Sequence, residues 1–226
     1  MPAKKVLLSW SSGKDSCWAL HVLRRNAGLD VVGLITTFNS AFDRVAMHAV
    51  RRPLLEAQAA SIGLPLWPVE LPWPCSNDIY EARMGALCAR AVDVGVQSIA
   101  FGDLFLRDIR AYRERQLQGS GIEPLFPLWE LSTEKLALDM IAGGVRAIVT
   151  CVDPRKLDRA FAGRSFDSAF LRDLPNSADP CGENGEFHTF AFDGPGFRYP
   201  VLTQPGEIVD RDGFVFADLL CNGVTD

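Results

Sequence analysis

LLSWSSGKDSCWAL, residues 7–20, sets an apolar run against a polar turn and then against a segment with helical spacing. Val6, Leu7 and Leu8 stand together without the alternation of a half-exposed strand, so residues 4–10 read as a strand buried on both faces. From Asp15 to Arg25, Cys17, Trp18, Leu20, His21 and Leu23 recur at helical intervals, and Gly28 stands just past the end. Ser9, Ser11, Ser12, Gly13, Lys14, Asp15 and Ser16 occupy the junction. Backbone N–H groups at a helix start are unpaired and carry the positive end of the dipole, which suits an anion. The serine hydroxyls add donors, Gly13 permits close approach, and Lys14 adds a point charge. The junction reads as a phosphate cradle.

The same alternation continues outward. Residues 31–38 read as a strand, 46–62 as a helix stopped by Gly63 and Pro65, and 66–71 as a strand. Ser76 reads as the cap of a helix over 77–94, followed by a strand at 97–101, a charged helix at 104–118, a helix from Ser132 to 142, and a strand at 146–152. Regular alternation with short connections predicts an α/β fold, a doubly wound, mostly parallel sheet with helices on both faces. After Asp153 the texture changes, with a short helix at 168–172 and strands at 187–192 and 214–220. This predicts a smaller C-terminal α+β domain, divided as 1–128 and 129–226 with the boundary anywhere from 128 to 153.

The 226 residues are 48% hydrophobic and carry a net charge of -5, so no broad cationic field invites a nucleic-acid backbone. No apolar run reaches a membrane span and no secretory signal opens the chain, which predicts a cytoplasmic protein. The six cysteines are scattered without metal-site spacing and read as small core residues. Trp67, Trp73 and Trp129 read as core or rim, and His21 as a packed side chain.

The loop fails the Walker pattern twice, with Leu8 at its first glycine and Asp15 after the lysine, and no dinucleotide fingerprint is present. It resembles instead the PP-loop, S-G-G-x-D-S, of N-type ATP pyrophosphatases, with Ser12 in place of a glycine. That substitution asks a Cβ to fit where the backbone crowds a pyrophosphate. With LLEAQAASIGLPL, FGDL, EPLFPLW and CGENGEFHTFAFDGP, the chain resembles the diphthine-ammonia ligase family over residues 6–200. The resemblance implies a HUP, adenine nucleotide alpha hydrolase-like domain that uses ATP and Mg²⁺. It also implies that a substrate carboxylate is adenylated with loss of pyrophosphate and that ammonia then displaces AMP. The implied acceptor is the diphthine residue of elongation factor 2. The chain's length leaves no room for the further C-terminal domains of longer members, so a small carboxylate metabolite is the alternative acceptor. A nucleotide-binding regulator without turnover is the alternative outside enzymes, and a homodimer is left open.

Lys14, Asp15, Glu183, Glu186 and His188 are the candidate catalytic residues. The glycines at 182 and 185 favour a tight turn, and alternation from Phe187 puts Glu186 and His188 on one face, where they and Glu183 could bind the acceptor or an amine. Ser9, Ser11, Ser12, Gly13, Lys14, Asp15 and Ser16 would bind the phosphates. Thr36, Thr37, Met47 and His48 would edge the base, and Gly102 and Asp103 follow the fourth strand into the ligand crevice. Asp15 and Asp103 are the candidate Mg²⁺ ligands, each equally readable as a helix or turn cap. Arg113 is the one arginine of its helix read as a substrate clamp.

Overall fold

A computed structural model describes residues 2–45 and 50–221. Its first sheet is built from β1 (Lys4–Ser9), β2 (Leu29–Asn39), β4 (Leu66–Leu71), β5 (Ser98–Ala100) and β6 (Glu123–Leu125), all parallel in the order β4-β2-β1-β5-β6. A two-residue strand, β3 (Arg44–Val45), pairs antiparallel with the far end of β2. The chain winds from β1 through β2 to β4, then crosses back to β5 and β6. The strand order therefore reverses between β1 and β5, and in an open α/β sheet ligands bind beyond the strand ends at that reversal.

Alternation along β1 feeds two cores. Val6 and Leu8 join α1 (Lys14–Arg24) and α2 (Arg52–Ile62) on one face, while Leu7 joins α3 (Asn77–Asp93) and the end of α4 (Arg107–Leu117) on the other. Both faces of the parallel sheet are covered, as its apolar strands require. Ser76 and Ser132 cap as their sequence context predicts. Their hydroxyls accept from the Ile79 and Lys135 amides, opening α3 and α5 (Thr133–Ala142).

The second sheet is antiparallel, in the order β8-β7-β10-β9, from β7 (Arg146–Val152), β8 (Phe187–Asp193), β9 (Thr203–Arg211) and β10 (Phe214–Cys221), with the short α6 (Ser168–Asp173) ahead of β8. Residues 146–152 form a strand as read, but they lie inside the antiparallel sheet and do not extend the parallel one. Alternation fixes element order, whereas the choice of partner is non-local. Val149, Val152, Phe187, Phe190 and Val215 share one continuous core with Val6, Leu20 and Leu54, so the second sheet packs on the α1/α2 face of the first.

Besides the two-residue β3, two strands were missed, β6 and β9. Each is a sheet edge holding a proline, Pro124 and Pro205, tolerated there because an edge position need not donate to a ladder. The helix read from residue 46 begins at Arg52, with extended Arg51 ahead of it and Pro53 in its first turn. Met47 and His48 lie outside the described residues.

Trp67 is buried, but Trp73 is 65% exposed, so the pair divides between core and rim. His21 stacks on Trp18 with ring centroids 4.7 Å apart, the packed role read for it.

Candidate active site

The polar junction follows β1 and lies at the strand-order reversal. A crevice of about 490 Å³ opens there, walled by Ser11, Lys14, Asp103, Glu183 and His188 among others. A second cavity of about 220 Å³ adjoins it and shares Ser9, Ser11, Phe101 and Arg113 in its wall. Thr36 and Thr37 from β2 and Tyr80 and Met84 from α3 complete this second space. Thr36 also ties the two strands together, donating from Oγ1 to the Trp10 carbonyl at 2.7 Å. Gly102 carries the β5 loop against the helix start, since a Cβ there would lie 3.4 Å from the backbone of Asp15 and Ser16.

Within the turn, Ser12 adopts φ +72°, the left-handed conformation in which a glycine is at ease. The Cβ that the sequence places at this point is therefore accommodated in strained backbone, and the Ser12 hydroxyl is buried with no hydrogen-bond partner. Its carbonyl accepts from the Ala191 amide at 2.8 Å. The Lys14 amide donates to Thr189 Oγ1 at 3.1 Å, and Ser16 Oγ donates to the Gly13 carbonyl at 2.9 Å. The turn is thus stitched along the edge of β8. Sequence reasoning missed Thr189 and Gln58, the buried amide of α2 that reaches Trp10, Ser12 and Ala191.

Lys14 is only 2% exposed. Its ammonium pairs with Asp15 at 2.9 Å, donates to the Cys181 carbonyl, and lies 5.4 and 5.2 Å from the rings of Phe166 and Phe187. Burial works strongly to lower this amine, but the Asp15 carboxylate, joined by Cys181 and Glu183, holds the group above its usual range. The cation therefore sits in the crevice floor, caged by Asp15 of α1, the Cys181 loop and the rings of Phe166 and Phe187.

Glu183 faces it. Its Oε1 accepts from the Leu104 amide at 2.8 Å, while burial, helped by Asp15 and Asp103, pushes the carboxyl up to about 7. Burial likewise raises Asp103, against the pull of Arg113. Arg113 Nε stands 3.7 Å from Asp103 Oδ2, too far for a hydrogen bond, and both atoms are buried without one. Arg113 also lies 4.9 Å over the Phe101 ring and reaches the Tyr80 hydroxyl at 3.5 Å, spanning the two cavities.

Glu186 stands apart from this group. It precedes β8, is 3% exposed, and its Oε1 accepts from the Asp179 amide at 2.9 Å and from Asn184 at 3.3 Å. It clasps the loop that presents Glu183, whereas His188 reaches the crevice wall. Gly182 and Gly185 take φ of +71° and +81°, the tight turn their spacing predicts.

Among the described residues, no three His, Cys, Asp or Glu side chains converge to hold a metal unaided. Mg²⁺ in nucleotide sites is commonly held by one or two carboxylates plus phosphates, and Asp103 Oδ2, buried without a hydrogen bond, suits that arrangement.

Cys17 follows the turn but is buried against Gly194, and burial pushes its thiol up to about 12. A thiol so held is protonated and inert at neutral pH. Cys17→Ala is accordingly expected to leave the rate of pyrophosphate release within about twofold and to cost about 1 kcal/mol of stability. Steady-state turnover with a thermal melt checks both, and abolished turnover would indicate sulfur chemistry.

Residues 4–124 match the family described as the diphthamide synthase N-terminal domain, and residues 132–213 match the diphthamide synthase C-terminal domain. A protein named diphthine–ammonia ligase from Schizosaccharomyces pombe is 25% identical over 230 residues, covering 92% of this chain and 37% of the relative. Proteins of the same name from Bos taurus and Homo sapiens are 25% and 24% identical, each over 92% of this chain and 85% of the relative. The chain thus spans well under half of the fission-yeast protein and most of the mammalian ones. No helix among the described residues is long and apolar enough to cross a membrane.

Proposed function

The chain belongs to the diphthamide synthase family, and from that premise we propose that it is an AMP-forming amide ligase that activates a diphthine carboxylate with ATP and delivers ammonia to it. The observation that carries this reading is the convergence, at the reversal between β1 and β5, of the loop start of α1, Asp103 and Glu183 on one crevice with a smaller side cavity. In this reading residues 1–128 carry the nucleotide, and residues 129–226 supply the acceptor side through the segment around Glu183 and His188.

The base and ribose of ATP occupy the smaller cavity against Thr36, Thr37, Tyr80 and Met84. The polyphosphate crosses past Arg113 into the larger one, against Ser11, Gly13, Ser16 and the helix dipole. A carboxylate oxygen of the acceptor attacks the α phosphorus in line, the bond to the bridging oxygen breaks, and pyrophosphate leaves. Positioning and neutralisation of the departing charge are what such a step requires of the protein, and the loop amides, Lys14 and Arg113 supply them. Asp103 and Asp15 would hold a Mg²⁺ brought with the nucleotide, which would supply further charge neutralisation.

Ammonia then attacks the acyl carbon and AMP departs. An ammonium ion has no free pair, so a base must take its proton first. Glu183 is held near neutrality by burial and its acidic neighbours, which suits it to that transfer. His188 stands on the same wall for acceptor binding. The cytoplasm is the compartment of this reaction in our reading, in keeping with Cys17, Cys75, Cys88, Cys151 and Cys181, which form no disulfide.

The test is direct. The chain is incubated with ATP, Mg²⁺, ammonium and elongation factor 2 carrying diphthine, and AMP, pyrophosphate and the mass of the acceptor are followed. One AMP and one pyrophosphate per amide formed is the expected result. Turnover on a small carboxylic acid with none on the elongation factor would move the acceptor to a metabolite, and ATP binding without AMP under every condition would leave a regulator.

A further inference from the structure

Gln58 lies on the buried face of α2, fully enclosed, and its amide is spent entirely on the phosphate turn and its neighbours. Oε1 accepts from Trp10 Nε1 at 2.8 Å, while Nε2 donates to the Ser12 carbonyl at 3.0 Å and to the Ala191 carbonyl at 2.6 Å. The Ser12 carbonyl takes a second bond from the Ala191 amide at 2.8 Å, and the next stitch, Lys14 amide to Thr189 Oγ1, follows at 3.1 Å. Ser12 itself gives no help. Its φ of +72° is one that a side chain resists, and its hydroxyl has no partner with which to hold it. What fixes the turn is its doubly bonded carbonyl.

We propose that Gln58 and Thr189 are positioning residues for the triphosphate, holding Ser12 left-handed and the Lys14 amide fixed so that the turn is ready before nucleotide arrives. The same bonds join the turn to β8, whose N-terminal flank presents Glu183. The inference rests on the ATP reading above and deepens it, since it assigns the readiness of the site to residues outside the loop. A satisfied core amide with no such role would cost stability on removal whatever stands at position 12. A positioning role depends on that position, because glycine adopts positive φ unaided.

Four forms of the full chain decide between them: wild type, Gln58→Met, Ser12→Gly and the double variant. Each is measured for ATP affinity by calorimetry, for ATP KM and kcat by pyrophosphate release, and for thermal midpoint. Gln58→Met is expected to raise the ATP KM about tenfold, the order of one buried hydrogen bond. In the Ser12→Gly background the rise shrinks to about twofold, while the loss of thermal midpoint is the same in both. Equal rises in the two backgrounds, or none, overturn the proposal. Should Gln58→Met fail to fold, Thr189→Val carries the test, raising KM with recovery in Thr189→Ser; an unchanged KM in Thr189→Val overturns it. A wild-type chain that binds no ATP removes the nucleotide reading and this inference with it, whereas a wild type that binds ATP no better than its variants removes the inference alone.

Discussion

Lys14→Met is expected to slow pyrophosphate release about 10²–10³-fold, the usual effect of deleting one preorganised electrostatic donor. It should also lower the free energy of unfolding by about 2–3 kcal/mol. Methionine keeps the length of the side chain, so packing against Phe166 and Phe187 persists and the fold survives. What disappears is the charge. The Cys181 carbonyl loses its donor, and Asp15 is left in a crevice that already holds Glu183 and Asp103. Three carboxylates would then face an incoming polyphosphate with Arg113 as the nearest opposing cation on the crevice wall. The stability loss is set below the full cost of breaking a buried pair because Asp15 remains 28% exposed and water can take up part of the charge. Arginine is not expected to rescue, since a planar fork does not fit a cage that closes on a compact ammonium. Rapid-quench measurement of pyrophosphate, with a urea titration on the same samples, checks the two effects separately, and an unaltered rate would take Lys14 out of the mechanism.

The loop could be found in the sequence because every part of it is local. Strand, turn and helix follow within about a dozen positions, and side chains at residues 9–16 must meet there wherever the rest of the chain goes. Gly102 and Asp103 were legible for a related reason, since they follow a strand whose carboxyl end must face the same crevice. Gln58 was hidden by distance, yet it left a trace. Leu54, Leu55, Ala59 and Ile62 form the apolar stripe of α2, and Gln58 stands inside that stripe, where an amide is buried only if something beneath it needs hydrogen bonds. Tyr80 and Met84 carried no such signal, because an aromatic and a methionine at helical spacing read as core until a cavity is seen beside them. Glu186 was grouped with Glu183 by proximity in sequence. Three residues further on, its carboxylate lies beneath the loop, and only the backbone path through Gly182 and Gly185 decides that. The missed β6 and β9 have a common cause, since edge prolines blur periodicity, while the partner of β7 is set across the whole fold.

Glu183→Gln should lower kcat about 10²–10⁴-fold, the range for a positioned general base, and should do so in a way that depends on pH. With its carboxyl pushed up to about 7, Glu183 is mostly neutral below that pH and charged above it, so the base form and the rate both grow as pH rises through about 7. Free ammonia also increases with pH, but equally for both proteins. The ratio of wild-type to variant rate therefore isolates Glu183, and it should climb through neutrality and level off above it. Glutamine keeps an oxygen for the Leu104 amide, so the loop is not released. Stability should move the opposite way. The folded state holds this proton more tightly than the unfolded chain, whose carboxyl titrates near 4.5, so the favourable contribution is complete below 4.5 and is lost as pH rises through about 7. Above neutrality the wild type must keep a buried charge that glutamine lacks, and the variant should gain in relative thermal stability there while losing turnover. An essential base and a neutral structural carboxyl give the same sign in the melt but opposite answers in the rate ratio. A flat ratio with undiminished kcat would assign the proton transfer elsewhere, and His188 lies on that same wall.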